Sequence, residues 1–519
     1  MPEIISTVVL FAAFVVNCGL LTLHFIHMLQ LSSYMNGRYA GWMKENRSEI
    51  INQMGWLLLA MVAVACFLLQ PTDWKTRTAC SILLLLHAYL TRPEKAKKPL
   101  VFTNRVKRLL FTHSVLLIIV FAVVMLSGML RISLGLLFLW GALTPFITLI
   151  ANAINQPLEK MFARRYVNEA RDLLGSMPEL TVIGITGSYG KTSAKNFLHT
   201  LLSVKYNVLM TPESYNTTMG VVRTIREQLR PVHEIFIAEM GAKKPGDIKE
   251  ICQLVNPKHG IITSIGEQHL ETFKSLDNII NTKFELADWV KNDGILFLNW
   301  DNEYIRGRNI DVPRATYGFG NNADYTAHDI TVDNGGSSFT VTAPDGETRR
   351  FTTELLGRHN IQNVLGCIAV AHKMGISLSE LSVPVKRLKP VKHRLQLLPN
   401  GYIDDAYNSN PAGFRAALDV LSGFEGQRIL VTPGMVELGD RQNELNKELG
   451  SYAASRCDYA VLVGEKQAPP LLDGLLSAGF KREDIYIAKT LTDGLNILKE
   501  LPREGKRTVL LENDLPDNF

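Results

Sequence analysis

The chemistry in this chain begins at a lysine and two hydroxyls. Lys191, Thr192 and Ser193 follow a turn that holds Gly187, Ser188 and Gly190, and the turn follows the apolar run Thr181–Ile185. The apolar run predicts a buried parallel strand, and the residues from Lys191 to Leu202 predict a helix. Strand, glycine turn and helix N-terminus together make a phosphate cradle. Backbone N–H groups and the helix dipole attract the anion, a lysine reaches the terminal phosphates, and a threonine hydroxyl can take Mg²⁺. The strict pattern G-x-x-x-x-G-K-[ST] asks for glycine at position 185, where this chain has Ile185. The plainer alternative is a turn that only joins strand to helix.

Three polar groups downstream could serve the same site. Glu239 closes the run Ile235–Glu239, His269 follows Ile261–Gly266, and Lys283 lies in a predicted helix over Leu276–Val290. Each alone reads more readily as structural than as functional. Their joint presence after Gly-Lys-Thr favours function. The elements that must position them alternate. Strands are predicted at 207–210, 234–239, 260–264 and 294–299, with helices at 220–229 and 246–254. Such alternation is the signature of a parallel sheet covered by helices, with ligands at the carboxyl ends of the strands. Residues 322–354 alternate in Thr, Val, Asp and Gly, and predict a small antiparallel sheet appended to this domain.

The spaced motifs resemble the Mur ligase family, nearest its D-alanyl-D-alanine-adding branch. The shared pieces are Thr-Gly-Ser-x-Gly-Lys-Thr at 186–192, Glu239–Ala242, His269-Leu-Glu271 with Phe273, Lys283-x-Glu285, Leu298–Asp301 and Gly357-x-His-Asn-x-x-Asn363. The resemblance covers about residues 178–519. It implies ATP as cofactor with two Mg²⁺ ions, one on Thr192 and Glu239 and the second on His269 and a carbamylated Lys283. Without the resemblance, Lys283 reads as an ordinary surface ion pair. It also implies substrate contacts at Asn216 and Thr217 and adenine-side contacts at Asn299, Asn360 and Asn363. His359 reads as structural.

A second alternating set starts near Arg394, with strands predicted at 401–404, 428–432, 460–463, 485–488 and 508–511. Asp404-Asp-Ala-Tyr-Asn-Ser-Asn-Pro411 reads locally as an Asx-rich turn that caps the helix from Ala412. By resemblance, Asp405 faces the nucleotide ribose, Tyr407, Asn408 and Asn410 sit at the substrate cleft, and Arg394 reaches the γ-phosphate on domain closure. Pro433–Gly439, with Glu437, is a further family-like turn. Two departures bear on the incoming amine. Asn446 stands where the family has a histidine, and the chain runs Leu511-Glu-Asn-Asp where the branch has a Lys-Gly-Ser type of ending.

The front of the chain is of another kind. Of 519 residues 46% are hydrophobic, and the excess lies almost wholly in the first 152. Apolar stretches at 4–31, 55–70, 79–90, 111–130 and 133–150 predict about five membrane spans, the third of them short. Arg92, Lys95, Lys97, Lys98, Arg105, Lys107 and Arg108 face only Glu94 in the segment 92–108, which puts that loop in the cytoplasm, as a topology signal or a site for anionic lipid heads. The phosphate-binding part then also lies in the cytoplasm, and the location is the inner membrane, multi-pass. His24 and His27 read as interface-level polar tips, and Leu126-Ser-Gly128 as a chance echo of a transporter signature. A basic leader and cleavage site are lacking at the N-terminus, so no signal peptide is read. Only about 25 residues separate the last span from the phosphate strand. The resembling family begins with a soluble domain for the UDP part of its substrate, and no such domain fits there.

The fold class expected is α/β: a transmembrane helical bundle over 1–152, a P-loop parallel-sheet ATPase domain over 153–392, and a Rossmann-like domain over 393–519. Six scattered cysteines form no C-x-x-C pair, which excludes a disulfide framework or zinc site of the usual spacing. No motif favours nucleic acid. The resemblance implies an ATP-dependent carboxylate–amine ligase of cell-envelope synthesis acting through an acyl phosphate, and the predicted spans make it membrane-embedded. Its partners are the lipid bilayer, an envelope precursor with a free carboxylate, lipid-linked, and an amino acid or dipeptide as amine donor. The alternatives are a tethered UDP-N-acetylmuramoyl-tripeptide D-alanyl-D-alanine ligase, an acidic-polymer amide ligase and, in another class, a membrane transport ATPase.

Overall fold

The computed structural model describes residues 2–48, 50–52, 54–57, 74–91, 99–126, 133–320, 322–333, 335–407, 409–436, 438–464, 468–502 and 505–514. Its contacts divide into two units, one reaching to Arg164 and the other beginning at Arg165.

The first unit is helical: α1 Pro2–Leu31, α2 Asn36–Glu45, α3 Trp74–Leu90, α4 Asn104–Leu126 and α5 Ser133–Gly175. Among the described residues, three helices (α1, α4 and α5) are long and apolar enough to cross a membrane. The third predicted stretch lies in α3, which at 17 residues falls short of the about 20 a span needs. Residues 58–70 of the second stretch, 92–98 of the basic segment and 127–128 of the transporter echo lie outside the described residues. Several buried polar groups of this unit are paired within it, while Asn17 Oδ1, Arg105 Nε and His113 Nδ1 have no hydrogen-bond partner among the described residues. Asn17 Nδ2 donates to the Leu84 carbonyl at 2.9 Å and meets His87 Nδ1 at 2.8 Å, and Arg108 grips both oxygens of Glu159 at 2.7 and 2.9 Å. His24 packs edge-on against Phe25 and Trp42. One element differs from expectation. The predicted fifth span and the polar linker after it are a single unbroken helix, α5, which contains Pro145 and Pro157. Proline removes one backbone bond per site, and a long helix tolerates that loss where neighbours take up the freed groups.

The second unit carries two sheets. The first runs β1 Thr181–Thr186, α6 Lys191–Leu202, β2 Val208–Met210, α7 Thr218–Gln228, β3 Ile235–Glu239, α8 Asp247–Val255, β4 His259–Ile262, α9 Leu270–Phe273, α10 Leu276–Phe284, β5 Leu296–Asn299, α11 Glu303–Arg306, β6 Arg314–Gly318, β7 Tyr325–Asp333, β8 Gly336–Thr342 and β9 Thr348–Thr353. Helices α12 Arg358–Lys373 and α13 Leu378–Lys386 follow. The strand order is β2-β3-β1-β4-β5-β6-β7-β8-β9. The strands from β2 to β7 pair in parallel, as apolar runs covered on both faces should. The antiparallel part is not a separate sheet: β7 pairs in parallel with β6 at Tyr317–Tyr325, so the hairpins β7-β8-β9 extend the same sheet. The predicted helix 276–290 ends at Phe284, and a 3₁₀ turn at Ala287–Trp289 follows.

The second sheet comprises β10 Gln396–Leu397, β11 Tyr402–Asp405, β12 Gln427–Thr432, β13 Tyr459–Val463, β14 Ile485–Ala488 and β15 Arg507–Glu512, in the order β10-β11-β15-β12-β13-β14. Helices α14 Pro411–Ser422, α15 Gln442–Ala453, α16 Ala468–Ser477 and α17 Leu491–Glu500 cover it. All its pairings are parallel except β10 with β11. The five described cysteines are buried and free.

Candidate functional site

The strand order turns at β1, which lies between β3 and β4, and the crevice at such a turning point is where open parallel sheets bind ligands. The loop after β1 can only be built with glycine. Gly187 has φ +148°, and a Cβ there would stand 2.1 Å from Thr263 Oγ1. Gly190 has φ +80°, and its Cβ would meet Asn363 Oδ1 at 2.5 Å. Lys191 folds back over the loop, donating to the Gly187 and Ser188 carbonyls at 2.6 and 3.1 Å. Burial pushes its ammonium down to about 8, with Glu239 opposing and Arg394 assisting. Ser188 Oγ donates to the Gly266 carbonyl at 3.0 Å.

Thr192 opens the core of the site. Its Oγ1 donates to Glu239 Oε1 at 3.0 Å, and Asn216 Nδ2 donates to the same oxygen at 3.1 Å. Glu239 is 1% exposed, and its Oε2 lies 3.0 Å from Nζ of the wholly buried Lys195, in an ion pair. Burial works against the Glu239 carboxylate. Lys195, Lys191 and the Asn216 amide outweigh it and hold the group below the usual carboxylate range. A hydroxyl and a carboxylate oxygen at this spacing are a hard-oxygen pair suited to Mg²⁺. Thr217 is used differently: its side chain caps α7 by accepting from Gly220 N at 3.3 Å.

Lys283 is not the surface ion pair that local sequence suggests. It is 2% exposed, has no ion pair among the described residues, and lies 5.9 Å from the Phe273 ring centre. Burial, reinforced by Lys191, pushes its ammonium well below the ordinary lysine value, with Asp247 and Glu285 too weak to restore it. A neutral amine is the form that can take up CO₂ as a carbamate, so the residue fits that modification. Phe273 belongs to the short helix α9, whose N-cap is His269 at φ +53°, a left-handed conformation uncommon outside glycine. Glu285 has its oxygens engaged elsewhere. It accepts from Gly246 N and Lys249 N at 2.7 and 2.8 Å, capping α8.

A cavity of about 560 Å³ opens from the loop, lined by Gly190, Ser193, Asn299, Asn360, Asn363 and Asp405 among others. Asn299 is fixed by donating to the Thr263 carbonyl at 2.7 Å and accepting from Gln362 at 2.9 Å. Asn360 donates to the Leu356 carbonyl at 2.9 Å. His359 also lines the cavity, with Nδ1 buried and lacking a hydrogen-bond partner among the described residues. Burial pushes its imidazole down to about 4, so the ring is neutral. A second cavity, of about 540 Å³, is lined by Gly401, Arg507 and Thr508 at the opposite, amino ends of β11 and β15. Parallel sheets do not build ligand sites there.

The second sheet closes the cleft from the other side. Arg394 Nη2 stands 3.4 Å from Thr192 Oγ1, and its guanidinium packs 4.5 Å over the Tyr407 ring. Tyr407 OH meets Ser214, and Arg441 pairs with Glu267, so the arrangement is already closed. Asp405 accepts from Leu395 N at 3.0 Å. Asn410 caps α14 through Gly413 N at 2.8 Å. Asn408 and Glu437 lie outside the described residues. Asn446 holds the family-like turn by bonding Met435 N and O at 2.9 and 3.0 Å.

Comparison with known proteins agrees with this geometry. Residues 185–371 match the Mur ligase middle domain, and residues 393–511 match the Mur ligase, glutamate ligase domain. The UDP-N-acetylmuramoyl-tripeptide–D-alanyl-D-alanine ligase of Bacillus subtilis strain 168 is 32% identical over 330 residues, which cover 62% of this chain and 71% of the relative. This chain belongs to the Mur ligase family. As a Mur ligase it is an ATP-dependent acid–amino-acid ligase, an enzyme class that uses Mg²⁺. Solved relatives include MurF from Acinetobacter baumannii (26% identity, TM-score 0.61, 68% of this chain and 77% of that one). MurF from Thermotoga maritima, solved with ADP, also matches (26% identity, TM-score 0.60, 68% and 80%).

Sequence reasoning passed over three residues of this Mur ligase cleft. Lys195 lies one turn beyond Lys191 on the same helix face, a spacing that marks it. Gln362 sits inside the matched Asn360–Asn363 motif. Glu512 carries no local signal at all, because its place depends on which strand β15 joins.

Proposed function

We propose that this Mur ligase is anchored in the cytoplasmic membrane and joins a carboxylate to an amine in cell-envelope synthesis, with a lipid-linked acceptor. Thr192 meeting Glu239 at 3.0 Å, with Arg394 at 3.4 Å from the same hydroxyl, carries the reading. Lys191 and Arg394 hold the triphosphate. Thr192 and Glu239 hold one Mg²⁺, and His269 with carbamylated Lys283 holds a second. Gly187, Ser188, Gly190 and Ser193 surround the phosphates. Asn299, Asn360 and Asn363 take the adenine side and Asp405 the ribose. Asn216, Tyr407 and Asn410 face the substrates. The metals supply positive charge against the phosphates when bound.

The acceptor carboxylate oxygen attacks the γ-phosphorus, and the bond to the β-phosphate oxygen breaks, releasing ADP. The amine nitrogen then attacks the acyl carbon. Phosphate leaves with an oxygen from the carboxylate, and the nitrogen loses a proton. Charge builds on the transferring phosphoryl, so the task of Lys191 and Arg394 is positioning and cationic stabilisation.

The lipid-linked acceptor is supported by the apolar helices and by the short stretch before β1, which leaves no room for a separate substrate domain. A second reading rests on the relatives' names: ligation of D-alanyl-D-alanine to a UDP-linked tripeptide. The purified full chain in nanodiscs, given both acceptors, separates the two. Preference for the lipid-linked acceptor supports the proposal, and equal turnover removes it. Transfer of ¹⁸O from labelled carboxylate to phosphate is expected, whereas a transport ATPase or any hydrolase would leave phosphate unlabelled. Lys283→Ala should lose turnover and regain it with added short carboxylates. An unchanged rate would remove the carbamate.

A further inference from the structure

One buried acid has no part in that reaction. Glu512 ends β15, is 1% exposed and lines the 560 Å³ cavity. It is the register partner of Asp405 at the end of β11, and Asn513 N ties the two strand ends by donating to the Asp405 carbonyl at 3.2 Å. Glu512 Oε1 accepts from Ser409 at 2.7 Å, while Oε2 is buried and meets no N–H or O–H donor among the described residues. Asp405, beside it in the sheet, lines the same cavity, and each acid acts electrostatically on the other. Two neighbouring carboxylates repel, and a single proton lets one donate to the other.

We propose that Glu512 is a positioning residue for the nucleotide: it holds a proton against Asp405 and so keeps that carboxylate in place as the acceptor for the ribose hydroxyls. This rests on the reading that the cavity takes ATP with Asp405 at its ribose. The surrounding charges agree. Arg394 on the linker before β10 favours the Asp405 anion, and Asp404, next in β11, opposes it while bonding His393 at 2.7 Å. Arg415 on α14, with Glu267 and Asp301 beyond β4 and β5, lines the same cavity. Burial raises both acids of the pair, Asp405 to about 6 and Glu512 well above its ordinary value. Both directions favour a proton held between the two acids.

The test measures affinity for ATP and for 2′,3′-dideoxy-ATP, with Mg²⁺, on the full chain in nanodiscs from about pH 6.5 to 9. Wild-type affinity for ATP should fall toward the alkaline end, where two facing carboxylates repel. Glu512→Gln keeps a neutral donor, so it should match wild type near pH 7 and lose the alkaline fall. Glu512→Ala should weaken ATP about ten-fold and leave dideoxy-ATP nearly unchanged. Equal weakening of both nucleotides, or an alkaline fall that survives in Glu512→Gln, would overturn the proposal. Unchanged ATP affinity in Asp405→Asn would instead overturn the placement of ribose on which it rests.

Discussion

Replacing Lys195 by methionine tests the electrostatics at the centre of the cleft. Lys195 and Glu239 are an ion pair at 3.0 Å with side chains 0% and 1% exposed. Removing one partner of a buried pair leaves the other charge uncompensated and costs about 3–5 kcal/mol. Lys195 heads the attractions that hold Glu239 ionised against burial, so without it burial raises the carboxyl. The pH dependence then has a definite sign. In wild type the folded-state value is depressed, so Glu239 contributes stability at neutral pH that is lost as pH falls through that value. In the variant the folded-state value rises above the unfolded one, and the neutral-pH loss is relieved by acid. The gap between the two proteins should therefore be widest near neutrality and narrow toward about pH 4. Mg²⁺-ATP should stabilise each protein that binds it, by about 2.7 kcal/mol at a hundred-fold excess over its Kd. Urea unfolding in detergent, read by hydrogen exchange of peptides spanning α6 and β3, measures all three effects. A variant as stable as wild type in EDTA at pH 7.5, or a gap independent of pH, would refute the reasoning.

Three further outcomes are expected. Burial holds the folded-state value of Lys283 well below that of the unfolded chain, so stability should rise with pH between the two values, by up to about 1.4 kcal/mol per unit. Lys283→Met should flatten that slope in CO₂-free buffer, and urea titrations at several pH values decide it. Gly187→Ala would place a Cβ 2.1 Å from Thr263 Oγ1 at φ +148°. It should cost roughly 1–3 kcal/mol and abolish nucleotide binding, as thermal melts with and without ADP would show. Alkaline carbonate should leave the full chain in the membrane pellet, and its release would exclude α1, α4 and α5 as spans.

The site was legible where chemistry follows from neighbours in the chain. Gly187, Gly190, Lys191 and Thr192 lie within one strand–turn–helix, and a strained loop followed by a helix leaves a local mark. Glu239 was legible as a polar end to an apolar run. Lys283 read locally as a surface residue, and its burial came from α10 packing against its neighbours. The antiparallel texture of 322–354 was plain, yet its continuity with the main sheet depends on a short parallel contact, Tyr317 with Tyr325. The unbroken helix α5 was divided in the reading because apolar and polar composition change midway, while helix geometry does not.

Sequence by itself determined the membrane-like front, the two alternating α/β stretches, the phosphate loop and the family, because each is written in periodicity or in fixed short spacings. Tertiary structure alone decided that Lys195 pairs with Glu239, that Arg394 reaches Thr192 from the other sheet, and that Glu512 faces Asp405. Those meetings depend on strand order and register, which bring together residues 44, 202 and 107 positions apart. No local pattern encodes them.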